Sequence, residues 1–308
     1  MEFIEQSCAW CGDENYDVVI KGPDRLLGID GNFQFVKCKS CGLLRQNPHL
    51  KWDSLREFYP ENYSSYLPKV SDISSRIKRI DKRYGLYKRV KFINNYKPSG
   101  NWLDVGSGTG RVLQEASEWK QWNLMGIEPT IDAAEYSKRN SEVKIFQTRI
   151  EDFNNFSEYF DIVTMWDVLE HLENPIDSLK KVWSLLKPNG VFVFSIPNLI
   201  SWDRKVFRKF WVGYDLPRHF YLFPPKLLST ILDQIGFSTL CRKCIAGSHG
   251  ALILNLMFLN TDIQSGLLNN FLKRGPDFFI PRIFTSIPLW ISDQLKLSSN
   301  ITYAVRKR

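Results

Sequence analysis

Asp104-x-Gly106-x-Gly108-x-Gly110 places three positions without side chains directly after an acid. Glycines at that spacing let a ligand lie against the main chain, and carboxylates beside them bind hydroxyl or ammonium groups without the basic cradle a pyrophosphate demands. The dinucleotide fingerprint GxGxxG would need its third glycine at position 111, where this chain has Arg111. NAD is therefore disfavoured. Glu128 follows Asp104 by twenty-four positions, about where an acid meets the hydroxyls of a bound ribose.

A second concentration of chemistry lies at the front. Cys8-x-x-Cys11 and Cys38-x-x-Cys41 are each followed at once by glycine, Gly12 or Gly42, with twenty-six residues between the pairs. This is zinc-ribbon spacing: each CxxC turn points two thiolates at one tetrahedral ion, and two turns close its shell. A closed shell leaves no position for water, so the predicted zinc is structural. Disulfides are the alternative, but nothing in the sequence points to an oxidising compartment. Cys241 and Cys244 fall in an alternating stretch and read as ordinary strand residues.

These residues need elements to hold them. From Asn101 an apolar run leads into the glycine turn and then a helical pattern in which Val112, Leu113 and Ala116 share a face. Further strands are predicted before Glu128, over 143–148, over 160–167 and over 190–198, alternating with helices as in a nucleotide-binding α/β sheet. Taken in order, the glycine motif, Glu128, Phe160-Asp161-Ile162-Val163, Leu169-Glu170-His171-Leu172-Glu173-Asn174-Pro175 and the strand after Lys187-Pro188-Asn189-Gly190 resemble the class I S-adenosylmethionine (SAM)-dependent methyltransferase family. Within it the resemblance is to the methyltransferase-type 23 and ubiquinone-biosynthesis enzymes. It implies a Rossmann-like α/β fold with a seven-stranded sheet, the last strand antiparallel. It also implies SAM as cofactor, with Asp104, Gly106, Gly108 and Gly110 on its methionine half, Glu128 on its ribose, Asp152 beside the adenine and Asp167 near the methionine end. The cysteine segment is similar to the N-terminal zinc module of the nucleotide-sugar C-methyltransferases.

The predicted division is a zinc ribbon over 1–46, a basic helical linker over 47–98 and a methyltransferase domain over 99–308, with an aromatic lid around 199–225. In the linker, Ile73, Ile77, Ile80, Tyr84 and Tyr87 recur at helical spacing among Arg76, Lys78, Arg79, Lys82, Arg83, Lys88, Arg89 and Lys91. Methyl transfer from a sulfonium is an in-line displacement that needs alignment and, for a hydroxyl or carbon acid, a base. His219, beside Arg218 in the aromatic insert, is the favoured base, with a purely structural histidine as the alternative. Arg218 would clamp an anionic substrate or form a structural ion pair. His171 is the other catalytic candidate. Asp167-x-x-Glu170-His171 is similar to the Glu-x-x-Glu-His divalent-metal site of the ubiquinone-biosynthesis O-methyltransferases, with Asp167 replacing the first Glu.

Hydrophobic residues make up 44% and charged residues 24% of the 308-residue chain, which excludes a disordered or fibrous class. No apolar run is long enough to span a bilayer, and the N-terminus lacks a signal-peptide pattern, which predicts a cytoplasmic protein. The formal net charge of +8 points to an anionic partner. The acceptors this favours are sugar nucleotides, glycan precursors, or isoprenoid and other lipid-linked small molecules, methylated on oxygen or carbon. The aromatic and basic stretch near the C-terminus adds peripheral membrane contact as a further reading. Two alternatives stay open: an RNA methyltransferase with a zinc-ribbon arm, against which Met165-Trp166-Asp167-Val168 stands where amino-methylating base enzymes carry Asn/Asp-Pro-Pro-aromatic, and a non-catalytic zinc-ribbon interaction protein.

Overall fold

A computed structural model of the chain describes residues 1–59, 76–140, 143–245, 247–267 and 279–308. Contacts sort the chain into two units, neither contiguous in sequence: Met1–Pro60 with Pro197–Leu228 and Ala246–Ile301, and Glu61–Ile196 with Ser229–Ile245 and Thr302–Arg308. Ile73, at the head of the predicted helical stripe, lies outside the described residues.

The first unit begins with short strands β1 (Phe3–Ile4), β2 (Tyr16–Gly22), β3 (Phe33–Cys38), β4 (Leu44–Gln46) and β5 (His49–Leu50), followed by a helical turn α1 (Trp52–Leu55). β2, β3 and β4 pair antiparallel in sequence, and β5 pairs with β1. Phe33, Phe35 and Val36 of β3 are buried, and Phe33 meets Phe58 edge-on at 5.6 Å. Burying one such ring contributes about 1.5–3 kcal/mol, which is how so small a sheet acquires a core.

The second unit opens on α2 (Arg76–Asn94), which buries Leu86, Val90 and Ile93 and leaves Ile80 and Tyr84 exposed. The described end of the helical stripe, at Ile80, Tyr84 and Tyr87, thus faces solvent. Next come β6 (Gly100–Val105), α3 (Arg111–Ser117), β7 (Trp122–Ile127), α4 (Ile131–Asn140), β8 (Lys144–Phe146), β9 (Phe160–Trp166), α5 (Pro175–Leu185) and β10 (Leu186–Pro197). The remaining elements are α6 (Trp202–Phe207), β11 (Tyr221–Leu222), α7 (Pro225–Ile235), β12 (Phe237–Lys243), α8 (Ser248–Ile263), α9 (Phe279–Gln294) and β13 (Asn300–Lys307).

Seven strands form one sheet in the order β12-β13-β10-β9-β6-β7-β8. β6, β7, β8, β9 and β10 run parallel, while β12 and β13 pair antiparallel. β9 and the second half of β10 are buried almost without interruption, as strands covered on both faces must be. Trp102, Ile162, Val191 and Val193 from the sheet close on Val90 and Ile93 of α2 and on Val112, Leu113 and Ala116 of α3. Cys241 lies in β12, in the strand setting its alternation predicted.

Most rings of the aromatic insert after β10 pack inside the first unit. Phe207, Trp211, Tyr214, Phe220, Tyr221 and Phe223 are buried, and β11 joins β4 as a further antiparallel strand of the first unit. Trp202 and Phe210 are partly buried. No helix among the described residues is long and apolar enough to cross a membrane.

Candidate functional site

In the second unit, β6 delivers Asp104 and then breaks into the glycine turn. Gly106, Gly108 and Gly110 have φ of 66°, 54° and 75°, the left-handed region that side chains avoid. A Cβ on Gly106 would stand 2.6 Å from Val168 Cγ2, and one on Gly110 would overlap Ser137 Oγ. Glu128, one residue past β7, reaches back to this turn: its Oε2 accepts the Gly108 N–H at 2.8 Å and its Oε1 the Thr130 N–H at 2.9 Å. Asp104 accepts the Thr164 hydroxyl at 2.5 Å, and Thr164 in turn accepts the Trp102 indole N–H at 2.9 Å.

Both acids are buried. Burial pushes the Asp104 carboxyl up to about 7, against the pull of Thr164 and Arg89, and raises Glu128 against the pull of the Thr130 and Gly108 amides. Two carboxyls held dry beside an open backbone turn gain from any ligand bringing hydroxyls or a cation, because in low dielectric such contacts are strong. Asp152 is exposed on the turn after β8, above Phe153, whose ring packs on Phe146 at 5.1 Å. Glu128 N–H donates to the Phe146 carbonyl, so these two acids leave neighbouring strands.

Asp167 follows β9 with φ of 58°. The Ser195 hydroxyl donates to its Oδ1 at 2.8 Å, and Arg89 Nη2 reaches its Oδ2 at 3.3 Å. The Arg89 guanidinium also lies 4.8 Å from the Trp166 ring centroid. In the sequence Arg89 is one cation of a basic run; only the helical register, beside buried Val90 and Leu86, hints that it turns inward. Glu170 and His171 sit on a single 3₁₀ turn (Leu169–His171) ahead of α5. The ligand atoms of Glu170 and His171 lie within 4.8 Å of each other, but Asp167 does not join them, being turned onto Ser195 and Arg89. The full triplet that resembles a divalent-metal site is thus not drawn together.

In the first unit, the four N-terminal cysteines converge. Cys8 and Cys41 sulfurs are 3.5 Å apart, as are those of Cys11 and Cys38, and all four lie within 4.8 Å. Each knuckle is closed the same way: Gly12 N–H donates to the Cys8 carbonyl and Gly42 N–H to the Cys38 carbonyl, with φ of 74° and 78°. Sulfurs about 2.3 Å from a tetrahedral zinc would be about 3.8 Å apart, so the donor set fits that ion. Burial pushes the Cys8 and Cys41 thiols up, a cost a divalent cation offsets by holding the thiolates.

The same unit holds His219. Its Nδ1 lies 2.9 Å from the Gly213 carbonyl, which fixes the proton there and makes Nε2 the basic nitrogen, 4.0 Å from Asp215 Oδ2. Arg218 is fully buried and pairs with Asp24 at 2.6 Å and Asp215 at 2.7 Å. Of its two readings, the structural ion pair is the one realised. Gln46 of β4, invisible as a site residue in the sequence, donates from one amide nitrogen to the Pro217 carbonyl at 2.9 Å and the His219 carbonyl at 2.5 Å.

Among known proteins, the model of a methyltransferase-domain family matches residues 77–242. The ubiquinone biosynthesis O-methyltransferase of Actinobacillus pleuropneumoniae serotype 7 (strain AP76) is 35% identical over 175 residues, 53% of this chain and 74% of that protein. The protein of the same name from Histophilus somni (strain 2336) is 29% identical over 185 residues, 55% of this chain and 76% of that one. In fold, the chain resembles a putative sarcosine dimethylglycine methyltransferase from Galdieria sulphuraria, with a TM-score of 0.51 at 12% identity over 83% of this chain and 97% of that one. A Pyrococcus horikoshii OT3 protein gives a TM-score of 0.52 at 13% identity over 82% of this chain and 99% of that one.

Proposed function

Since the chain belongs to the class I SAM-dependent methyltransferase family, we propose that it methylates a hydroxyl of a small glycan-precursor or lipid-linked acceptor. SAM supplies an electrophilic methyl on a sulfonium. The observation that supports the reading best is the union of Glu128 with the glycine turn through the Gly108 amide, beside the buried Asp104. In this reading Glu128 receives the ribose hydroxyls, while Asp104 and the turn hold the ammonium end. Asp152 lies toward the adenine. Asp167 orients Arg89 toward the methionine carboxylate, which the stack on Trp166 keeps from swinging away. The relatives' names, which specify O-methylation, favour oxygen as the acceptor atom.

His219 takes the acceptor proton on Nε2 as the oxygen bonds to the methyl carbon and the carbon–sulfur bond breaks. Asp215, 4.0 Å away, favours the imidazolium so formed. Cys8, Cys11, Cys38 and Cys41 hold one structural zinc. The sugar and lipid-linked acceptor classes rest on the +8 charge and on the cysteine module's likeness to that of the nucleotide-sugar enzymes.

Calorimetric titration with SAM tests the cofactor site. Glu128→Ala removes charge-assisted hydrogen bonds of about 1.5–3 kcal/mol each, so affinity is expected to fall at least about tenfold. Glu128→Gln, which keeps the shape, should fall less. Unchanged affinity in both variants, or no binding by the wild type at millimolar SAM, would sink the assignment.

A further inference from the structure

α8 and α9, which contact each other, both carry large apolar side chains that are exposed. Of the described residues of α9, Leu289 and Ser292 are buried, whereas Phe284, Ile287 and Trp290 are 76%, 65% and 61% exposed, with Ile291 and Leu295 exposed beside them. Spacings of three and four residues put these apolar groups on one face of the helix. α8 buries Phe258 and Asn255, the latter donating to Asp203 at 2.9 Å and accepting the Val212 N–H at 2.6 Å, while Met257, Ile263 and the following Leu267 stand exposed. A pair of helices that presents this many large apolar side chains fits an apolar medium on its outer side.

Exposed cations lie on elements next to these helices. Lys205 and Arg208 are exposed on α6 and the 3₁₀ turn after it, both elements that pack against α8, and Lys296 is exposed just past α9. Arg25 and Lys209, by contrast, are engaged by Asp262. Each helix has 16 residues, about 24 Å of rise against the roughly 30 Å of a hydrocarbon core. Neither can span a bilayer; each is long enough to lie along one.

We infer that the outer faces of α8 and α9 seat the protein on an anionic lipid surface, with Phe284, Ile287 and Trp290 in the acyl–headgroup boundary and Lys205, Arg208 and Lys296 among the headgroups. The alternative occupant, a second copy of the chain, would bring a like net charge of +8 against these cations. An anionic bilayer matches them. The inference does not depend on methyl transfer, because vesicle binding is read without SAM or acceptor.

Flotation of the full chain with phosphatidylcholine vesicles, with and without phosphatidylglycerol, tests it. The wild type should float with the anionic vesicles, and the bound fraction should fall on the order of tenfold with neutral vesicles or high salt. Ile287→Glu/Trp290→Glu should abolish flotation, and Phe284→Ser alone should weaken it, with SAM affinity unchanged in both. Absence of wild-type flotation on anionic vesicles would overturn the inference, as would equal flotation of the double variant. So would a dimer in lipid-free solution that the double variant dissociates without any loss of vesicle binding.

Discussion

Asp104 and Glu128 share a buried turn, and burial by itself makes their ionised forms costly. With Asp104 raised from 3.8 to about 7, the folded protein binds a proton there that the unfolded chain has lost. That contribution to stability is present at low pH and fades as pH rises from about 4 to about 7. SAM, whose ammonium and sulfonium are cations, favours the ionised acid, so binding should release a proton below about pH 7 and affinity should rise with pH until that point. Titrations near pH 6 and pH 8, in buffers of different ionisation enthalpy, check this; a flat profile without proton release removes Asp104 from contact with the ligand. His219 makes the complementary case. His219→Ala should lower turnover about 10²–10⁴-fold with the right acceptor and leave SAM affinity nearly unchanged. A merely structural imidazole would instead lower Tm and preserve turnover per folded molecule. His171→Ala is the matched control, expected to disturb SAM binding because it sits on the turn that follows Asp167.

At the scale of elements, β4 is more than an edge of the cysteine module. Through Gln46 it holds the carbonyls of Pro217 and His219, and through its pairing with β11 it continues into the segment after His219. Arg218 ties the same loop to Asp24 in the segment between β2 and β3. The module therefore acts as the frame for the loop that presents His219. Gln46→Leu leaves two carbonyls in the interior short of a donor, at about 1–3 kcal/mol each, and should shift the His219 imidazole resonances and its titration while SAM affinity stays constant. Gln46→Glu, which cannot donate when ionised, should act in the same direction. Histidine resonances identical to wild type in both variants would leave β4 with no positioning role.

For the whole molecule, two units that are each discontinuous in sequence imply two sources of stability. SAM at about a hundred times its Kd should raise the unfolding free energy of the sheet unit by about 2.7 kcal/mol. A strong zinc chelator, or Cys38→Ser, should instead destabilise the unit that holds the cysteines, because metal binding is folding energy there. Calorimetric melts should resolve the two responses. A single transition displaced equally by SAM and by chelator would mean that the units unfold as one.

The sequence alone determined what local spacing can specify. The order of strands, the glycine turn with Glu128 after it, and the paired CxxC knuckles are each fixed within a few residues, where alternation, φ preference and ligand geometry act directly on the chain. It could not show which distant segments join. The aromatic insert reads as a lid because its rings have no visible partner in the sequence, yet Tyr221 pairs opposite Arg45 and Phe35 packs on Tyr214 at 5.7 Å. Arg218 had two open readings until Asp24, 194 residues away, came within 2.6 Å. Asp167 fits a metal triplet by spacing, and only its left-handed backbone, Ser195 and Arg89 turn it elsewhere. Periodicity also marks Ile80, Tyr84 and Tyr87 as one helical face without saying whether that face is buried, since burial depends on what other elements cover. Tertiary structure decided these points because each depends on contacts between residues far apart in the chain, which hydrophobic packing and buried charge pairing select only once the whole fold has closed.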